Sequence, residues 1–249
     1  MQVLLGRRAL VDVAVAMAGF LVSGSWVLTV TGAEATYFLA AIGAGLAVMG
    51  NAAASILNRK PRVTTAADRV TLIRAVLVAC FAAATIPALF GGTGPAMPVV
   101  VLGGAAFLLD AVDGAVARRF ACASPAGGRL DVQTDAALVL VLSCAAVPVV
   151  GPWVLAVGLM WYAFVAAGWI RPELKRVLPV KRLRKVIGAF QPFALLLALT
   201  PGVPGGIGMA AVVVALVALV ASFGRDVVEL ETGHRKWTGR RRPSTELVN

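Results

Sequence analysis

Eight apolar stretches, at roughly 9–31, 35–57, 66–91, 97–118, 130–150, 152–170, 183–200 and 205–224, take up most of the sequence. Crossing the hydrocarbon layer of a bilayer as a helix takes about 20 apolar residues. Within lipid each backbone N–H and C=O must find its partner inside the protein, so such stretches become helices. The chain is therefore expected to be an all-α membrane protein with about eight transmembrane helices. A hydrophobic share of 59% against 14% charged residues excludes a soluble domain of 249 residues. The first stretch follows Arg7 and Arg8 as a signal peptide would, but it is too long and lacks a small-residue cleavage site, so it reads as a retained span.

Threaded through these spans, the loops alternate between two sides, and all 23 Lys and Arg residues fall on one of them. The opposite loops, TGAEA, GGTGPAMP, VVGPW and TPGVPGG, carry none. The positive-inside rule then places both termini on the cytoplasmic face of a plasma membrane. The formal net charge of +11 is accounted for by this topology and by anionic lipid headgroups, without a nucleic-acid partner. Cys80, Cys122 and Cys144 are odd in number and irregular in spacing, giving neither a disulfide framework nor a metal pattern. Asp12, near the cytoplasmic end of the first span, is expected to snorkel or to pair with Arg8.

Four aspartates fall at or just inside the ends of two apolar stretches, in DAVDGAVARRFACASPAGGRLDVQTD, residues 110–135. Asp110 and Asp113 stand three residues apart and Asp131 and Asp135 four apart, so each pair lies on one face of its helix. Pro125, Gly127 and Gly128 are expected to break the helix and turn the chain back, setting the pairs opposite each other. Four ionised carboxylates so close would repel, and two divalent cations would neutralise them. With no His or Cys among them, the hard oxygens suit Mg²⁺ or Mn²⁺. Gly114 and Ala117 remove side-chain bulk, allowing a ligand or helix close to the backbone, and Arg118 is placed to meet a phosphate.

These residues resemble the signature of the CDP-alcohol phosphatidyltransferases. Asp110, Asp113, Gly114, Ala117, Arg118, Gly127, Asp131 and Asp135 match it in identity and spacing. The resemblance covers about residues 64–223. It implies a six-helix core over 64–224, preceded by two additional helices in 1–63 and followed by a basic tail in 225–249. It further implies transfer of a phosphatidyl group from CDP-diacylglycerol to an alcohol, with release of CMP. Asp110, Asp113, Asp131 and Asp135 would bind two metals, with Asp135 as general base. Gly114, Ala117, Arg118, Gly127 and Ser124 would hold the cytidine diphosphate, and Ser124 reads equally as a turn serine. Family members commonly dimerise, so a homodimer is an expectation as well.

Residues 58–74 enter the third span, and Thr64, Thr65 or Asp68 could cap its helix. The family often has an acid or amide, a Thr and an Arg at three-residue steps here, as in Asp68, Thr71 and Arg74. Asp68 and Thr71 would then touch the nucleotide and Arg74 the acceptor. A cap and a headgroup-facing arginine fit those positions too. The 171–185 loop holds seven basic residues. Arg182, Arg184 and Lys185 are its best candidates for an acceptor bearing negative charge, such as glycerol 3-phosphate, inositol phosphate or phosphatidylglycerol, although lipid headgroups also explain the charge. The products would be phosphatidylglycerophosphate, phosphatidylinositol phosphate or cardiolipin, as bacterial members make. Gln191 and Pro192 suggest a kink beside a polar cavity or a packing repair. The tail is expected on the membrane surface or disordered. A divalent-cation channel is the competing class, but no acid continues a path through the outer halves of the spans. An inactive metal-stabilised scaffold is the third reading.

Overall fold

The computed structural model describes residues 2–60, 62–90, 97–119, 125–170 and 182–239, of which 2–6, 98, 111–119, 125, 182–184 and 226–239 are described by backbone alone. Among the described residues the chain is all helical. Its eight α-helices are α1 (Gln2–Val30), α2 (Ala35–Leu57), α3 (Ala66–Phe90), α4 (Met97–Arg119), α5 (Pro125–Val150), α6 (Leu155–Ile170), α7 (Arg182–Leu199) and α8 (Gly205–Gly239). Six of them contain stretches long and apolar enough to cross a membrane. The apolar parts of α4 and α7 are shorter, Val99–Asp110 and Lys185–Leu199. The protein is thus a multi-pass membrane protein. Val22, Leu39 and Ile170 are 74%, 83% and 83% exposed, as a surface facing acyl chains requires.

Local chemistry sets the ends of the helices. At the start of α3, the Thr65 N–H donates to Asp68 Oδ2 at 2.8 Å and the Asp68 N–H donates to Thr65 Oγ1 at 3.2 Å. This reciprocal capping box chooses Thr65 among the possible caps and satisfies two backbone donors that the helix leaves open. Between α5 and α6, Gly151 adopts φ 105°, a conformation costly for any residue with a Cβ, and a 3-10 turn over Pro152–Val154 follows.

Three boundaries differ from the sequence expectation. α5 begins at Pro125, so Pro125, Gly127 and Gly128 lie in its first turn and do not form the reversal. Proline fits the first helical position because its missing N–H would have had no partner there. Residues 120–124, Ser124 among them, lie outside the described residues. α1 starts at Gln2, ahead of the apolar run, and α8 continues as helix to Gly239, well into the polar tail. Pro148 and Pro192 are both accommodated inside continuous helices, with Gln191 buried beside Pro192.

α3 and α5 form the centre. Their spanning windows are 61% and 56% buried, against 22–28% for the other four spans. α3 packs on α1, α2, α4 and α5, while α5 also meets α6 and α7, and α7 pairs with α8. Two apolar cores result, and α3 contributes to both. Leu72, Ala75, Ala79 and Ala83 join Phe20 of α1 and Met49 and Ile56 of α2. Val78, Phe81 and Ala82 join Leu142, Val157, Leu195 and Val212. Small residues let helices approach closely where lipid supplies no hydrophobic drive between them. At Gly45 a Cβ would run into the Phe20 ring and come within 2.8 Å of the Ala79 carbonyl oxygen, so α1, α2 and α3 meet only because Gly45 has none.

Candidate active site

The site forms where α3, α4 and α5 converge. Asp110 comes from α4, Asp131 and Asp135 from the second and third turns of α5, and their carboxylate oxygens lie within 4.8 Å of one another. Three of the four expected acids thus come together. The fourth, Asp113, is on α4 one turn after Asp110, with its side chain outside the described residues, as are those of Ala117, Arg118, Arg182 and Arg184. Gly114 lies on the same turn of α4, and Gly127 in the first turn of α5. Lys185 is exposed on α7, and the 171–181 segment of the basic loop lies outside the described residues.

Arg74 of α3 occupies the middle of the acids. Its side chain is 0% exposed. One terminal nitrogen donates to Asp110 Oδ1, and the other lies 2.5 Å from Asp131 Oδ1 and 3.1 Å from Asp135 Oδ1. The carboxylates themselves keep 40–45% exposure. A cation walled in by protein therefore holds acids that remain open to a ligand. The planar fork of a guanidinium can address several carboxylates at once, which a lysine ammonium does not match. An arginine placed a turn and more inside an apolar helix is also where an unpaired charge costs most, a signal that Arg74 should have been sought among the acids and not among lipid headgroups.

One guanidinium among three carboxylates leaves two negative charges over. Half-exposed, all-oxygen and closely spaced, these groups suit a hard divalent cation. The same burial that hides Arg74 excludes it from the headgroup layer.

Asp68 is also built in. Only 1% exposed, it accepts from Arg59 Nη1 at 2.9 Å in addition to its capping contacts. Arg59, just beyond the end of α2, also donates to the carbonyl of Ala126 at 3.0 Å, tying the start of α5 to that of α3. Thr71, buried, donates to the Ala67 carbonyl at 3.1 Å. Asp12 pairs with Arg69 at 3.1 Å and accepts from Thr64 at 2.5 Å, where the sequence suggests snorkelling or a pair with Arg8. The reason is reach across the packed α1–α3 surface: Arg69 projects from the first turn of α3 towards it. Among the described residues Cys80 and Cys144 are free thiols.

A family model described as CDP-alcohol phosphatidyltransferase matches residues 64–222, more than half of the chain and all of α3 to α7. No curated protein and no solved structure matches the chain. The matched region begins at the capping segment of α3 and encloses every member of the acid cluster together with Arg74. Members of this family use divalent cations, consistent with the oxygen-rich cluster. Signature, helical architecture and family match agree, and the chain belongs to the CDP-alcohol phosphatidyltransferase family.

Proposed function

We propose that this protein transfers the phosphatidyl group of CDP-diacylglycerol to the hydroxyl of an anionic alcohol, releasing CMP. Family membership supports the coarser statement, phosphatidyl transfer from a CDP-alcohol in a membrane. The observation that carries the reading is the convergence of Asp110, Asp131 and Asp135 about buried Arg74. Asp110, Asp113 and Asp131, with Asp135 sharing, would hold divalent cations. When bound, these supply charge neutralisation for the pyrophosphate and the departing CMP.

The protein's own groups do the rest. Arg74 fixes the carboxylates in orientation, so that no reorganisation is required as charge develops. Asp135 accepts the proton of the acceptor hydroxyl. The hydroxyl oxygen attacks the phosphorus bearing diacylglycerol, and the bond from that phosphorus to the CMP oxygen breaks. Gly114, Ala117, Arg118, Ser124 and Gly127, with Asp68 and Thr71 behind them, would line the cytidine diphosphate subsite. Because Arg74 is committed to three carboxylates, we assign the acceptor's negative charge to Arg182, Arg184 and Lys185 at the start of α7. Glycerol 3-phosphate, inositol phosphate and phosphatidylglycerol are the acceptors of this chemistry, and a panel of acceptors discriminates among them.

The test is CMP release from CDP-diacylglycerol by the purified protein with Mg²⁺ or Mn²⁺ and a panel of acceptors. Release with one acceptor is expected, abolished by chelation and reduced at least about 100-fold in Asp135→Asn, the lower range for loss of a general base. Release unaffected by Asp135→Asn would remove it from the role of base, and no release from folded, metal-loaded protein would remove the transferase reading.

A further inference from the structure

A second charged site lies outside the acid cluster. An open cavity of about 460 Å³ is lined by Arg7, Arg8, Val11, Asp12 and Arg69. Four of these residues belong to α1, ahead of the family-matched region, and Arg69 belongs to the first turn of α3. The cavity exists because the additional N-terminal helix is docked on the core.

We infer that this cavity binds the phosphate of an anionic lipid headgroup. Three guanidinium groups face one carboxylate, leaving two positive charges over. The carboxylate is already engaged: Asp12 Oδ2 accepts from Arg69 Nε at 3.1 Å and from Thr64 Oγ1 at 2.5 Å. That pairing holds Arg69 in place while its side chain stays 57% exposed, and Arg7 and Arg8 are exposed beside it. Arginine forks are suited to phosphate oxygens, which accept paired charge-assisted hydrogen bonds.

A free phosphate ion would use only the arginines, whereas the surface continues past them. Arg7, Val11 and Val15 recur every fourth residue along one face of α1, and Val11, Val15 and Val22 are 58%, 65% and 74% exposed. From Val11 to Val22 the helix rises about 16 Å, close to the thickness of one hydrocarbon leaflet. A headgroup phosphate on the arginines would thus lay an acyl chain along this apolar strip. The inference is independent of the catalytic reading.

The experiment uses the full chain in a neutral detergent, titrated with phosphatidylglycerol, phosphatidylcholine or inorganic phosphate, with bound lipid counted by native mass spectrometry. The wild type is expected to retain phosphatidylglycerol in preference to phosphatidylcholine. Arg7→Gln/Arg8→Gln should weaken that binding about thirtyfold, taking the usual contribution of two arginines at an anionic surface. Arg7→Lys/Arg8→Lys should keep most of it, and Arg62→Gln/Arg225→Gln, which removes the same charge elsewhere, should leave it unchanged. Equal retention of phosphatidylcholine by the wild type overturns the inference. So does equal weakening in the two glutamine pairs, or displacement of the lipid by millimolar inorganic phosphate.

Discussion

Arg74 is the residue on which the site turns. A fully buried guanidinium bound to Asp110, Asp131 and Asp135 cannot be removed without leaving carboxylates crowded and uncompensated. Arg74→Gln is expected to destabilise the protein by about 3 kcal/mol, as breaking a buried charge pair does, and to abolish CMP release. Arg74→Lys keeps the charge but cannot bridge three acids, so it should recover part of the stability and little of the turnover. Denaturant unfolding in detergent, run beside the CMP assay, separates the two effects. If Arg74→Gln unfolded at the wild-type midpoint, the cation would not be holding the cluster.

At the scale of the helix, the α2–α3–α5 junction and the α1–α2–α3 packing make distinct predictions. Thr65→Ala removes only the cap of α3 and should cost about 1 kcal/mol. Asp68→Ala removes a capping partner and also strands Arg59, whose side chain is 7% exposed, so it should cost about 3 kcal/mol or more. Thermal unfolding of the two variants ranks them, and equal losses would mean that the Arg59–Asp68 pair adds nothing beyond the cap. In the neighbouring core, Gly45→Leu must displace Phe20 from between α1, α2 and α3. Overpacking of this kind costs about 1–3 kcal/mol or more. Its expected result is loosened α1, read as faster proteolysis near the N-terminus, while a protected N-terminus would show that the three helices can move apart at little cost.

For the whole molecule the prediction concerns orientation. If both termini lie on the cytoplasmic face, the turn at Gly202 faces outward and the α2–α3 connection inward. In a background with Cys80, Cys122 and Cys144 replaced by Ser, a cysteine at Gly202 should react with an impermeant thiol reagent in intact cells. A cysteine at Arg62 should react only after permeabilisation. The reverse pattern would invert the topology and place the acid cluster on the outer side.

The sequence by itself determined the helical architecture, because apolar stretches of spanning length leave the backbone no other way to satisfy itself in lipid. It also determined the family and the acid pairs, since Asp110, Asp113, Asp131 and Asp135 at their spacings are a one-dimensional signal along two helices. What it did not contain is long-range pairing. Asp12 chose Arg69 over Arg8, Asp68 took Arg59, and Arg74 joined acids 36, 57 and 61 positions away, as helices α1 to α5 packed. The start of α5 at Pro125 is ambiguous in sequence for a local reason, since proline breaks a helix from within but opens one from its first position. Which cation meets which anion is decided by tertiary contact, because the cost of a buried charge falls only when another helix brings its partner.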